Sequence, residues 1–261
     1  MKESQQGTVY LVGAGPGDPE LLTVKAANLL GKCDALLYDS LIPEEMLELV
    51  SESCECFFVG KRRGHHSVPQ VKTNSILLKL VKKHSCIVRL KGGDPFLFGR
   101  GGEEAAFLAS HGVSVEVVPG ITAGIAVPAY VGIPITHRHA GSSVTFVTGH
   151  EGIDTQRSAV NWRSLAKSTD GLVIYMGLHN LDFIIEELLS GGLDPEIPSV
   201  VIQQGTVVGQ RYLRYPLNQL SYQIKKHRFL SPSIVMIGKA VAYQIPSCAP
   251  KPALVTMPIV F

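Results

Sequence analysis

Residues 91–104, KGGDPFLFGRGGEE, gather on one short segment the groups that a ligand site needs. Gly92 and Gly93 leave backbone groups uncovered, Asp94 supplies a carboxylate, and Phe96, Leu97 and Phe98 offer an apolar wall. Gly99, Gly101 and Gly102 free the backbone around Arg100, whose planar guanidinium suits carboxylates. No Gly-Lys-Ser/Thr ending follows, so this is not a phosphate-cradling P-loop. Apolar surface, backbone hydrogen-bonding groups and one carboxylate together suit an adenosine-bearing ligand.

A second turn, GAGPGDP at residues 13–19, matches the dinucleotide fingerprint Gly-x-Gly-x-x-Gly at Gly13 and Gly15, but Asp18 stands where the third glycine belongs. A carboxylate there opposes a phosphate at the helix start, and Pro16 removes a backbone donor. A nicotinamide dehydrogenase is therefore disfavoured. The glycines either admit a bulky ligand against the backbone or simply make a tight turn. In residues 119–138, Thr122, Ala123 and Gly124 are small residues opening a helix; they allow a ligand to lie against the helix start, though close helix packing is the more common explanation of such residues. Positive groups cluster at GKRRGHH, residues 60–66, and recur at Arg100, Arg138 and His139. An exposed ion pair contributes only about 0–1 kcal/mol, yet several around a polyanion steer and orient it. Arg62 and Arg63 read equally well as surface charge, and Glu103 and Glu104 as helix-opening carboxylates favoured by the dipole.

The elements that position these residues follow from periodicity. In the first half, apolar runs at residues 8–12, 35–38, 56–59, 86–90 and 113–117 read as strands, alternating with helical stretches at 43–50, 68–83 and 103–110. Asp18 and Pro19 read as N-cap and first residue of another helix, with Leu22, Ala26 and Leu29 on one face. Such alternation implies a parallel sheet with ligands beyond the C-terminal ends of its strands. The apolar pattern breaks at THRHAGSS, residues 136–143, so the expected domains are 1–138 and 139–261, the second a mixed α/β sheet. Residues 117–136 are long and uncharged enough for a membrane span, but Pro119, Pro128 and Pro134 with Gly120, Gly124 and Gly132 make loop, short helix and loop the better reading.

Composition narrows the function. With 24 basic and 22 acidic residues the chain lacks the basic excess of a nucleic-acid binder. Five cysteines, an odd number with no Cys-x-x-Cys, read as reduced thiols of a cytoplasmic protein. Cys54 and Cys56 with His65 and His66 make a poor metal set, and no metal is expected.

VGAGPGDPELLT, YDSL, VGKR, GGDPFLFGRGGEE, VPGITAG and GIPITHR, in this order, resemble the tetrapyrrole methylase family. The likeness runs from about Val9 to Gly238, and FGRGGEE with VGKRxGHH resembles most the branch that methylates uroporphyrinogen III. The resemblance implies two α/β domains with the active-site cleft between them, binding S-adenosyl-L-methionine and releasing S-adenosyl-L-homocysteine. By position it carries cofactor contacts onto Pro16, Gly92, Gly93, Asp94, Leu97, Thr122, Ala123, Met176 and Gly205. Its acid–base pair falls on Asp39 and Lys61, with Arg100 beside them. Arg62, Arg63, His65, Arg100, Glu103 and Arg138 are the implied contacts to an anionic tetrapyrrole. A homodimer, free of nucleic acid and membrane, is implied, methylating C2 and C7 to give precorrin-2 by way of precorrin-1 for sirohaem or cobalamin. A methylase of a later corrin precursor shares the cofactor loops and is the nearest alternative; a non-catalytic binder of the methyl donor is another.

Overall fold

The computed structural model describes residues 7–60, 70–149 and 160–249. The chain forms two compact units, Met1–Thr122 and Ala123–Phe261.

The first unit runs β1 (Thr8–Gly13), α1 (Val24–Leu30), β2 (Ala35–Tyr38), α2 (Glu44–Leu47), β3 (Glu55–Phe58), α3 (Gln70–Leu80), β4 (Cys86–Lys91), α4 (Gly101–Ser110) and β5 (Ser114–Val118). Its five strands are parallel in the order β3-β2-β4-β1-β5. A parallel sheet covered on both faces needs apolar residues at odd and even positions alike. Val9, Leu11, Leu37 and Ile87 pack with Leu77 and Leu80 of α3 and Leu108 of α4. Val12, Leu36, Val88 and Leu90 pack with Ala26 and Leu30 of α1 and Met46 of α2.

The start of α1 differs from the sequence expectation. Asp18 accepts a hydrogen bond from the Glu20 amide at 2.9 Å, but it caps only a 3-10 turn, Pro19–Leu21. Leu22 and Thr23 are extended, with ψ of 142° and 149°, which ends that turn. The hydroxyl of Thr23 then caps α1 by accepting from the Ala26 amide at 3.1 Å. Leu22 therefore precedes the helix, and α1 buries Ala26 and Leu30.

The second unit runs α5 (Ala123–Ala129), β6 (Thr145–Thr148), α6 (Trp162–Ser168), β7 (Gly171–Tyr175), α7 (Leu181–Ser190), β8 (Pro198–Gln203), β9 (Arg211–Pro216), α8 (Leu217–Lys226) and β10 (Ser233–Gly238). Its sheet is mixed, as expected, in the order β6-β7-β10-β8-β9; β6 and β7 are parallel and the other pairs antiparallel. Helix α8, absent from the sequence reading, buries Leu217, Leu220 and Ile224 on a helical spacing. Within residues 117–136 the end of β5 is followed by a single short helix, α5, and no helix among the described residues is long and apolar enough to cross a membrane. Helix α5 is tied into this unit by the Gly124 amide, which donates to the Tyr175 hydroxyl at 2.7 Å.

Candidate active site

In the first unit the loops leaving β1, β4 and β5 are held together backbone to backbone. The Gly15 amide donates to the Gly93 carbonyl at 3.1 Å, and the Gly93 amide returns a bond to the Gly15 carbonyl at 2.6 Å. A Cβ on Gly120 would sit 2.3 Å from the Gly93 carbonyl oxygen, and one on Gly13 would sit 2.5 Å from the Gly120 nitrogen. Side chains are thus excluded at this junction by packing. Asp94 pins the same junction. Its Oδ2 accepts from the Gly120 amide at 3.0 Å and its Oδ1 from the Phe96 amide at 2.8 Å. A carboxylate has about four acceptor sites, so each Asp94 oxygen retains capacity for a ligand donor.

Beyond this junction the chain presents the apolar wall. Phe96 and Phe98 are exposed and Leu97 is half-buried. Phe98 and Arg100 both lie in the left-handed region, with φ of +53° and +58°. For residues with a Cβ this conformation is held by surrounding structure and concentrates at functional sites. Here the Gly101 amide bonds the Pro95 carbonyl at 2.9 Å, closing the loop. Arg100 grips Glu103 through two bonds of 2.9 and 2.7 Å, and both side chains are exposed. Their hydrogen bond raises the Arg100 pKa and lowers that of Glu103. The guanidinium expected to meet substrate carboxylates therefore carries an internal one, at a solvent-facing position.

Asp39 follows the C-terminal end of β2. Its Oδ1 accepts from the Leu41 amide at 3.1 Å, and its Oδ2 lies 3.7 Å from Nη2 of Arg89. Arg89 in turn meets Glu104 Oε1 at 3.3 Å, while Nζ of Lys91 donates to Glu104 Oε2 at 2.9 Å. Gln70 on α3 also donates to Glu104, at 2.8 Å. Arg89, Lys91 and Glu104 are all buried, Glu104 completely. Burial pushes the Lys91 ammonium below its ordinary pKa, as does repulsion from Arg89, against the pull of Glu104. Burial would raise the Glu104 carboxyl, but attraction to Arg89 and Lys91 and the bonds from Lys91 and Gln70 prevail and leave it lowered.

Of the other expected residues in this unit, Pro16, Gly92 and Gly93 are half-buried at the strand ends and Thr122 is buried. Lys61, Arg62, Arg63 and His65 lie outside the described residues. In the second unit Met176, directly after β7, is exposed with φ +52°. Gly205 lies between Gln204 and Thr206, both in the left-handed region, and a Cβ there would meet Val127 at 2.3 Å. Arg138 is exposed and Ala123 half-buried. No set of three or more His, Cys, Asp or Glu able to hold a metal occurs among the described residues.

The model of the tetrapyrrole (corrin/porphyrin) methylases matches residues 8–221. The chain belongs to this family. The tetrapyrrole methylase fold accounts for the two sheets, and relatives agree along almost the whole length. A curated uroporphyrinogen-III C-methyltransferase of Synechocystis is 48% identical over 93% of this chain and 92% of its own. A sirohaem synthase of Pseudomonas fluorescens is 47% identical over 90% of this chain, which spans 50% of that longer protein. A solved structure of the Thermus thermophilus uroporphyrin-III C-methyltransferase complexed with S-adenyl homocysteine matches with a TM-score of 0.77 at 38% identity, covering 90% of this chain and 93% of that one.

Sequence reasoning missed the Arg89–Glu104–Lys91 cluster and gave Gly120 no role. One signal for the cluster was present. Arg89 and Lys91 alternate at i and i+2 in an otherwise apolar strand, which sends two cations to one buried face.

Proposed function

We propose that this tetrapyrrole methylase is an S-adenosylmethionine-dependent methyltransferase that methylates uroporphyrinogen III at C2 and C7, yielding precorrin-2 by way of precorrin-1 for sirohaem or cobalamin-type products. The observation that carries the reading is the loop 92–104: a backbone junction pinned by Asp94, an exposed apolar wall, and Arg100 displayed on a left-handed backbone. The methyl-donor half of the reading fits the chemistry of this chain. Phe96, Leu97 and Phe98 suit an adenine face, and the carboxylate of Asp94 suits the positive groups of an amino-acid sulfonium. Asp18 occupies the turn at which a dinucleotide phosphate would bind, with its own carboxylate on the Glu20 amide.

When bound, the donor supplies a methyl group on a cationic sulfur. The protein's part is alignment and proton removal. Gly92, Gly93, Asp94, Leu97, Pro16 and Thr122, with Ala123, Met176 and Gly205, are the proposed cofactor contacts. As the new carbon–carbon bond forms, the carbon–sulfur pair returns to sulfur and the ring must lose a proton. Asp39, fixed through both oxygens and partly exposed, is the proposed acceptor of that proton. Lys61 is its proposed acid partner, and Arg62, Arg63, His65, Arg100, Glu103 and Arg138 the proposed contacts to the ring carboxylates. The assembly is proposed to be a homodimer.

The test is incubation with uroporphyrinogen III and S-adenosylmethionine, followed by mass spectrometry. A product heavier by two methyl groups is expected, with a monomethylated intermediate at early times. No methylated uroporphyrinogen, alongside methylation of a later corrin precursor, would move the chain to another branch of the family.

A further inference from the structure

Strand β4 reads Ile87, Arg89, Lys91 along the face covered by α3 and α4. Ile87 joins the apolar core there, but the two cations reach Glu104 in the first turn of α4. Their exposures are 6%, 4% and 0% for Arg89, Lys91 and Glu104. Stability does not explain such a cluster, because well-packed apolar side chains of similar volume are as good as a buried ion triad or better. Through Asp39 the cluster meets a partly exposed carboxylate. Arg89 faces both Glu104 Oε1, at 3.3 Å, and Asp39 Oδ2, at 3.7 Å, and the Asp39 side chain is 25% exposed.

Among the described residues, the charges facing Asp39 come from one strand and the helix behind it. Arg89 and Lys91 approach from β4, with Glu104 of α4 behind them. On the other side β3 ends in Phe57 and Phe58, and Val59 continues the same path. In α2, which follows Asp39, Glu44 and Glu45 are exposed.

We propose that Arg89, Lys91 and Glu104 are positioning residues for Asp39, holding its carboxylate by one cation whose field Glu104 partly cancels. This rests on the reading of Asp39 as the proton acceptor. A bare Arg89 would orient Asp39 but leave it a weak base. An arginine shared with a second, buried carboxylate keeps the orientation and returns basicity. Lys91 supplies the second positive charge that lets the fully buried Glu104 remain ionised.

The test is Glu104→Gln, which keeps the side chain's shape and one acceptor oxygen but removes the charge. Arg89 then acts on Asp39 alone. The expected result is a kcat for methyl transfer to uroporphyrinogen III lowered about two- to threefold, with the acid limb of its pH profile moved down by about half a unit. Affinity for S-adenosylhomocysteine should stay within about twofold, since the Asp94 junction is untouched. A merely structural cluster would lower stability and leave the limb in place, and that result overturns the proposal. If Glu104→Gln fails to fold, Lys91→Met removes a cation that also acts on Asp39 and must move the limb the opposite way, upward; a limb that stays in place overturns the proposal. Asp39→Asn separates the two readings. If it retains turnover, Asp39 is no base and the proposal falls with that reading. If it is inactive while the limb of the Glu104 variant is unmoved, only the positioning proposal is overturned.

Discussion

In the first unit Arg89, Lys91 and Glu104 lie buried together, whereas Ser199, Gln203, Thr206 and Gln210, the buried polar side chains in the second unit's β8 region, are uncharged. The strands show the same contrast. Parallel β4 reads CIVRLK and carries two cations into the interior, while β7 reads GLVIY and is buried and neutral throughout. Charge is expensive to bury and tolerated where it does something that neutral groups cannot. The first unit thus holds its buried charge beside Asp39, the proposed proton acceptor. In the second, buried polar atoms tie loops: the Thr206 amide donates to Gln210 Oε1 at 2.6 Å, and Gln210 Nε2 donates to the Tyr130 carbonyl at 3.1 Å. Both units do share one device, residues with positive φ just after strand ends or in the loops beyond them, at Phe98 and Arg100 in one and at Met176, Gln204 and Thr206 in the other.

The strongest way to break this contrast is Glu104→Ala, which leaves Arg89 and Lys91 buried without their anion. A loss of about 3–5 kcal/mol is expected, confined at first to the first unit. The single tryptophan, Trp162, lies in the core of the second unit and reports on it alone. In urea, the far-UV ellipticity of the variant should begin to fall at lower denaturant than Trp162 emission changes. Coincident transitions would mean that the two units do not differ in this way.

Acid should do more gently what that substitution does. The folded Glu104 carboxyl titrates below its ordinary value of 4.5. A depressed carboxyl contributes stability that is complete above the unfolded value and is lost as pH falls through the folded one. Wild-type midpoints should therefore drop as pH falls below about 4.5, and the Glu104→Gln variant should lose this part of the dependence. An equal pH slope in both proteins would show that Glu104 is not the group responsible.

Between these in size is Asp94→Ala, which removes two hydrogen bonds from backbone amides to a charged acceptor. Bonds of that kind contribute about 1.5–3 kcal/mol each. Calorimetry with S-adenosylhomocysteine should show affinity reduced by about ten- to a hundredfold. The matching lesion in the second unit, Gln210→Ala, removes its two buried hydrogen bonds, to the Thr206 amide and the Tyr130 carbonyl, and should cost about 1–3 kcal/mol, read by Trp162. A larger loss at Gln210 than at Glu104 would reverse the contrast between the units.

The sequence disclosed the parallel and mixed sheets because strand and helix periods alternate cleanly, and the Gly-rich loops because their glycines and prolines are local signals. It did not disclose what the glycines are for. Gly13, Gly93 and Gly120 are distant in sequence, and only the strand order β4-β1-β5 brings their backbones within reach of one another. Asp94 looked like a ligand carboxylate, and its bond to the Gly120 amide depends on the same adjacency. Glu104 read as a helix-dipole residue because its partners lie on another strand. The 3-10 turn after Asp18 was hidden by Thr23, a second good N-cap five residues on.

The smallest effect on stability is expected at Glu103, and it tests whether the loop 92–104 divides into a cofactor half and a substrate half. Glu103 and Arg100 are more than half exposed, so Glu103→Gln should change stability by less than about 1 kcal/mol. Their two-pronged pairing nevertheless fixes where a guanidinium on a left-handed backbone points. With the pairing weakened, Arg100 gains rotamer freedom that substrate binding must then remove. At about 0.5–1.5 kcal/mol per ordered side chain, this predicts a KM for uroporphyrinogen III raised about two- to tenfold. Affinity for S-adenosylhomocysteine should not move, because the Asp94 junction stands apart from this pair. A weaker cofactor with an unchanged KM would place residues 98–104 on the donor side and undo the division.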